Sequence, residues 1–139
     1  MSDISFGRAR RHVLGLGCER GTLPAEVLAL AIAALDAAGI AAAELAAIAS
    51  IESRRHEPAI LAVAAHFSVP VVFFDAPRLE EETPRLKNPS AKVFARVGCH
   101  GVAEAAALAA AGPDAELAVA KIKSAHATAA VARSGLQKA

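Results

Sequence analysis

The segment best suited to chemistry is the glycine-rich stretch that runs from Gly15 to Thr22 as Gly-Leu-Gly-Cys-Glu-Arg-Gly-Thr. A short apolar run precedes it and a long apolar helical pattern follows it. A strand, a glycine turn and a helix in this order present backbone N–H groups to an anion. Glycines at 15, 17 and 21 permit a tight turn or close approach of a ligand, and Arg20 adds a cation. The stretch therefore predicts a carboxylate or phosphate pocket opened by a helix with Thr22 as N-cap. A tight turn without ligand is the structural alternative.

The same stretch departs from the known nucleotide-binding motifs. The dinucleotide fingerprint G-x-G-x-x-G needs its third glycine at position 20, where this chain has Arg20, and Gly21 comes one residue late. The acidic residue expected about 20 residues further on is not clearly present, because Glu52 is too distant. No Gly-Lys-Ser/Thr sequence follows the glycines either. A nucleotide-binding regulatory domain therefore stays a weaker alternative.

Further basic and hydroxyl side chains follow the predicted strands. Ser50, Arg54 and Arg55 come at the end of the second strand, and Lys121 comes at the end of the fourth. Arg suits carboxylate binding because its planar guanidinium can donate two parallel hydrogen bonds. Thr128 in the last strand, like Ser50, can donate to a carboxylate or satisfy the local backbone. Each basic residue has the alternative of being a solvated surface charge.

Two glutamates and one cysteine have types that suit catalysis. Glu57 stands at the start of the second predicted helix, where it can act as a general base or complement the helix dipole. Glu104 has the same two interpretations. Cys18, next to a helix start, is a candidate for a lowered pKa, but no His or Asp is tied to it by sequence.

Composition excludes several functional classes. The chain has 139 residues, a net charge of +1, five Phe and no Trp or Tyr. Nucleic acid is therefore not an expected partner, because neither a strongly basic surface nor base-stacking aromatics are available. A membrane-spanning helix needs about 20 consecutive apolar residues, and no apolar run in this sequence approaches that length. Cys18 and Cys99 form neither a disulfide framework nor a zinc site, which favours a reducing cytoplasm. The five histidines show no metal-binding spacing, so neither metal nor cofactor is expected.

Hydrophobic patterning predicts alternating strands and helices in one domain. Predicted strands are 12–16, 44–52, 69–75, 116–123 and 125–133, and predicted helices are 23–38, 57–67, 77–82, 90–96 and 102–111. The acidic run 80–82 is expected to form a solvated face. The fold class is α/β: a single compact three-layer domain with a mostly parallel sheet, helices on both faces and an antiparallel C-terminal strand pair. Residues 1–11 are expected to be a flexible tail and 12–139 the domain.

These pieces together resemble a known family. The matching segments occur in order between about residues 12 and 133. They are the glycine stretch, Ser50-Ile51 with the basic residues and Glu57 after it, Ser90, Val97-Gly98, Val102-Ala103-Glu104, and Lys121 with Thr128-Ala129. In this set the chain resembles the C-terminal domain of the cobalamin-biosynthesis protein CbiG and its free-standing relatives, the CobE proteins. One departure is Glu19, which stands where the family often has a second basic residue.

The resemblance implies a role in corrin-ring construction. Corrin-pathway intermediates are apolar macrocycles edged with carboxylates, so the expected function is binding of a polycarboxylate precorrin or corrin such as hydrogenobyrinic acid, as a carrier or accessory factor. Other corrin-pathway enzymes are possible partners. The alternative is a precorrin lactone hydrolase or rearrangement enzyme of the CbiG type, with Glu57 as its catalytic residue. The expected ligand-binding residues are Gly15, Gly17, Cys18, Arg20, Gly21, Thr22, Ser50, Arg54, Arg55, Glu104, Lys121 and Thr128.

Overall fold

The computed structural model describes Ile4, Phe6 and residues 10–135, which contain five strands and five helices. Strands and helices alternate up to the third helix, which two further helices and then two strands follow. The strands are β1 (His12–Cys18), β2 (Leu45–Ile51), β3 (Val71–Phe74), β4 (Glu116–Lys123) and β5 (Ala127–Arg133). The helices are α1 (Pro24–Ala38), α2 (Pro58–Phe67), α3 (Ala76–Glu80), α4 (Ala91–Val97) and α5 (Ala103–Ala111). Three short 3₁₀ turns, 42–44, 52–54 and 83–85, lie between them. Most of the predicted flexible tail, 1–11, lies outside the described residues.

The strands form one mixed sheet in the order β3-β2-β1-β5-β4. Strands β1, β2 and β3 are parallel, whereas β5 is antiparallel to both β1 and β4. The predicted α/β class, with its antiparallel C-terminal pair, is confirmed. Because β4 runs antiparallel to β5, it points the same way as β1, β2 and β3. The carboxyl ends of four strands and the amino end of β5 therefore meet at one edge of the sheet.

Helices cover both faces of the sheet. On one face α1 and α2 pack against side chains such as Leu14, Ile48 and Val131. On the other face α5 and α3 pack against Val13, Ala132 and other small residues. Neighbouring residues of a strand point to opposite faces, so Val13 and Leu14 belong to different layers. In contrast, α4 buries none of its seven residues.

Two local predictions were wrong, each because a side chain has a partner three or four residues away. Thr22 is not the N-cap of α1, because its hydroxyl donates to the Glu19 carbonyl at 2.6 Å and Leu23 takes the cap position without a side-chain bond. Glu82, predicted on a solvated face, is buried against Arg78 and Arg85.

The described residues hold no helix that is both long enough and apolar enough to cross a membrane.

Candidate ligand-binding cleft

A cleft of about 760 Å³ opens at the edge of the sheet where the four carboxyl ends meet. Its volume lies within the range of about 300–1,000 Å³ that is usual for small-molecule sites. Residues from the end of β1, the turn after β2, α4, the start of α5 and the β4–β5 hairpin line it. Parallel α/β sheets bind ligands at this edge, beyond the carboxyl ends of their strands. The topology therefore places the cleft where the sequence predicted a site.

Two glycines of β1 let helix α5 lie close against the sheet. A Cβ atom added at Gly15 would stand 1.9 Å from the Ala103 carbonyl oxygen, and one at Gly17 would stand 2.9 Å from Thr128 Oγ1. Gly17 and Thr128 line the cleft, whereas Gly15 lies beneath α5. Gly15 therefore supports the site by allowing α5 to approach.

Cations dominate the charged lining of the cleft. Arg20, Arg54, Arg96, Lys121 and Lys123 line it together with a single carboxylate residue, Glu19. Within the described residues, only Arg54 of these five cations uses its side chain in a protein hydrogen bond. Its Nε donates to the Cys18 carbonyl at 2.8 Å. The other cationic groups remain available to an anionic ligand.

In the glycine loop, the backbone N–H of Gly21 is already bound by a carboxylate of the protein itself. The Gly21 N–H donates to Oε2 of Glu57 at 3.0 Å, and Glu57 is buried. Glu57 lines a second, smaller cavity of about 220 Å³ beside Arg20, Arg55 and His56. The protein carboxylate thus occupies the place next to Gly21 that the sequence analysis gave to a ligand. Of this stretch, residues 17–20 line the main cleft, Arg20 lines both cavities, and Gly21 and Thr22 do not line the main cleft.

Three other predicted residues lie away from the main cleft. Ser50 is fully buried, and its hydroxyl donates to the Leu16 carbonyl at 2.6 Å. Thr22 is buried and bonded within its own loop. Arg55 is exposed and pairs with Glu52 at 2.8 Å. The structure therefore brings six of the twelve predicted ligand-binding residues to the main cleft: Gly17, Cys18, Arg20, Arg54, Lys121 and Thr128.

Glu104 is buried behind the cleft wall, with 2% of its surface exposed. Its Oε1 accepts the backbone N–H groups of Lys87 and Asn88, and its Oε2 accepts the Asn88 side-chain amide and the Lys121 N–H. Burial acts to raise the pKa of this carboxyl, but the bonds from Lys121, Asn88 and Lys87 outweigh it and hold the pKa below its ordinary value. Glu104 thereby fixes the backbone of Lys121, whose side chain lines the cleft.

Cys18 does not have the lowered pKa that its place before a helix suggested. Burial raises the pKa of the thiol, and the nearby Glu57 carboxylate raises it further. A high pKa keeps the sulfur protonated at neutral pH, which disfavours a nucleophilic role. The thiol is one polar group in the lining of the cleft.

One rim of the cleft is the β4–β5 turn, which Glu26 of α1 holds in place. The Glu26 carboxylate accepts the Ser124 hydroxyl, the His126 N–H at 2.7 Å and the His126 ring Nδ1 at 2.9 Å. The bonds from Ser124 and then His126 lower the pKa of Glu26 to about 2. In return, Glu26 raises the pKa of His126. A helix on one face of the sheet thus positions a turn that borders the cleft.

Sequence reasoning missed several lining residues, among them Arg96, Val93 and Val97 of α4 and His126 of the turn. A usable signal existed for α4, because the predicted helix 90–96 has too few apolar residues at helical spacing to bury a face. His126 fell inside the predicted strand 125–133, whereas β5 begins at Ala127 and leaves His126 in the turn that borders the cleft. The described residues contain no group of three or more His, Cys, Asp or Glu placed to hold a metal ion.

Comparison with known proteins identifies the family. The family model "Cobalamin synthesis G C-terminus" matches residues 12–132. The chain is 61% identical to protein CobE of Sinorhizobium sp over 120 residues, which cover 86% of this chain and 78% of that protein. It is also 31% identical to a cobalt-precorrin-5A hydrolase of Priestia megaterium over 125 residues. That match covers 90% of this chain but 33% of the hydrolase.

A solved structure shows the same fold. The crystal structure of CobE, described as a protein from the cobalamin (vitamin B12) biosynthetic pathway, superposes with a TM-score of 0.83 at 37% identity. The superposition covers 94% of this chain and 95% of that one. The resemblance to this family is thereby confirmed in sequence and in fold. The chain belongs to the family of the cobalamin synthesis G C-terminus and is a cobalamin-biosynthesis protein of the CobE/CbiG C-terminal type.

Proposed function

We propose that this protein binds a corrin-ring intermediate that carries several carboxylates, as a carrier or accessory factor in cobalamin biosynthesis. The observation that carries the proposal is the set of cations around the cleft. Arg20 lines it from the loop after β1, and Lys121 and Lys123 line it from β4; no protein carboxylate among the described residues pairs with their side chains. A ligand with carboxylates spread around its edge can engage several of these cations at once.

The walls between the cations suit an apolar ligand body. Val93 and Val97 of α4 and Val102 at the start of α5 contribute methyl groups to the lining. Small-molecule sites usually combine such apolar surface with a few polar groups that fix orientation. The opening at the edge of the sheet also leaves part of a bound macrocycle outside the protein, where a pathway enzyme can reach it.

The hydrolase alternative receives no comparable support. Its candidate base, Glu57, accepts the Gly21 N–H and lines the smaller cavity. Its candidate nucleophile, Cys18, has a raised pKa. Binding without chemistry therefore accounts best for the arrangement of the described residues.

A spectroscopic titration with hydrogenobyrinic acid tests the proposal, because a corrin chromophore reports a changed environment in its visible band. Saturable binding with a Kd of about 1 μM or below is expected. Replacing Arg20 and Lys121 by Ala should each weaken binding about ten-fold, as expected for a lost charge-assisted hydrogen bond. No saturable binding by the wild-type protein would overturn the proposal.

The matched control is Arg133→Ala. Arg133 is a surface cation that pairs with Glu116 at 3.1 Å, and it lies at the opposite end of β5 from the cleft. Removing the Arg133 side chain changes the net charge by the same amount as Arg20→Ala or Lys121→Ala, and it should leave the Kd for the corrin unchanged. If Arg133→Ala weakened binding as much as Arg20→Ala, the ligand would be responding to overall charge and the assignment to the cleft would fail.

A further inference from the structure

Helix α4 packs little against the rest of the described protein, although its composition is partly apolar, and Val97 near its end is its contact with the core. None of its seven residues is buried, and Phe94 is 45% exposed. A helix this short has little stability by itself, and helices in proteins are stabilised mainly by burying one face. The face of α4 that would normally be buried is therefore only partly covered.

The ends of α4 are nevertheless well held. The Ser90 side chain accepts the Val93 N–H as an N-cap, and Gly98 ends the helix in the left-handed conformation with φ 86°. The Ser90 N–H donates to the His100 carbonyl at 2.7 Å, and this bond joins the chain before α4 to the chain after it. His100 in turn contacts Glu80 at 2.8 Å and stacks on Phe94. The two ends of α4 thus fix its position beside the cleft, while its body makes few contacts, chiefly through Phe94 and Val97.

The open face of α4 combines methyl groups with one cation. Val93, Arg96 and Val97 are three and four residues apart, so they share one face of the helix, and all three line the cleft. Among the described residues no hydrogen bond or ion pair engages the Arg96 guanidinium. Lys92, on the same helix, is exposed and does not line the cleft. Only one side of α4 is therefore directed at the cleft.

We infer that α4 is a ligand-contacting wall in which Val93 and Val97 pack on the apolar body of the bound molecule and Arg96 binds one of its peripheral carboxylates. This inference rests on the proposed function and assigns to it a binding element opposite the loop that carries Arg20. The occupant is a flat apolar molecule with several carboxylates. Charge complementarity supports this choice, because Arg96 joins Arg54 and the cleft lysines in a lining with one carboxylate residue. The ligand supplies the packing that α4 lacks in the free protein.

Paired variants on α4 test the inference with hydrogenobyrinic acid as the probe. Arg96→Ala should weaken binding about ten-fold, because a charge-assisted hydrogen bond is lost. Lys92→Ala removes the same charge four residues away and should leave the Kd within a factor of two. Both side chains are exposed, so neither change should alter folding, and thermal melting of each variant checks this. Equal Kd values for the two variants would overturn the assignment of Arg96.

Hydrogen–deuterium exchange supplies a second measurement on the wild-type protein. Saturation with the probe should slow exchange of the amides in 91–97, because the ligand provides the missing packing. A corrin whose carboxylates are all converted to amides should bind more weakly and protect these amides less. Unchanged exchange in 91–97 at saturation would refute a contacting wall while leaving the proposed function in place. If the wild-type protein did not bind the probe at all, the proposed function and this inference would both fail.

Discussion

Glu104 connects two walls of the cleft through one carboxylate. Its four accepted hydrogen bonds come from the segment that leads towards α4 and from the β4 backbone at Lys121. A buried carboxylate is tolerated only when hydrogen bonds compensate for its lost hydration. The residue was predicted to bind ligand, and the geometry gives it a positioning role instead, because its oxygens are already occupied by protein donors.

Replacing Glu104 by Ala should destabilise the fold by about 2–4 kcal/mol, since it leaves buried donors without an acceptor. Chemical denaturation of the two proteins measures the difference. Glu81→Ala is the control, because Glu81 is exposed on the neighbouring segment and makes one 3.6 Å ion pair. Its effect should stay within about 0.5 kcal/mol. Equal effects from the two substitutions would show that the Glu104 hydrogen bonds contribute little.

At the scale of elements, the position of α5 depends on the absence of a side chain at Gly15. The Ala103 carbonyl lies where the Cβ of any other residue would be. Helix α5 brings Val102 to the cleft and Glu104 behind it. The glycines that suggested an anion loop thus act in part through helix–sheet packing.

Gly15→Ala should cost about 3 kcal/mol or more, because the clash involves backbone atoms that give way only if the helix shifts. Thermal or denaturant unfolding provides the measurement. Gly39→Ala is a suitable comparison, since a Cβ there meets nothing within 4 Å and only the φ of 72° is unfavourable, at about 1–2 kcal/mol. A smaller loss at Gly15 than at Gly39 would contradict the close packing of α5.

At the scale of the whole molecule, several carboxyls have pKa values below the ordinary one in the folded state. Glu26, Glu82 and Glu104 all do, and the pKa of Glu26 falls from 4.5 to about 2. A depressed folded pKa contributes stability that is fully present above the unfolded pKa and is lost as the pH falls through the folded one. Glu26 and Glu104 join segments distant in sequence, whereas Glu82 holds a local turn, so acid should loosen the fold at several places together.

The free energy of unfolding should therefore decline as the pH falls from about 4.5 towards 2. Denaturant titrations across this range measure the decline. In Glu26→Gln the slope should be shallower, because the variant has no carboxylate to protonate at the β4–β5 turn. An identical slope in the variant would mean that the bonds from Ser124 and His126 do not persist in solution. His126, with its raised pKa, acts in a separate window: its contribution is present below 6.5 and is lost as the pH rises through the raised value.

The five strands and the sheet edge at which the cleft opens could be predicted from the sequence, because a pattern of alternating strands and helices constrains topology strongly. Even the alanine-rich β2 was assigned correctly from its place between helix and polar turn. The partners of individual side chains were not predictable, because they join distant residues. Glu57 reaches Gly21 across 36 positions, and Glu26 reaches His126 across 100. Sequence spacing contains no information on such contacts.

The cleft draws its lining from stretches between residue 17 and residue 128, so it spans nearly the whole described chain. No single helix, strand or hairpin carries enough of it to bind anything. Such a site is inherited or lost as one unit, and it can be joined to other domains without being rebuilt. The same unit accounts for most of a protein of similar size in one relative and for a third of a much longer protein in another. This domain therefore has the coverage pattern of a module: the matched length is most of one relative and a minor part of another.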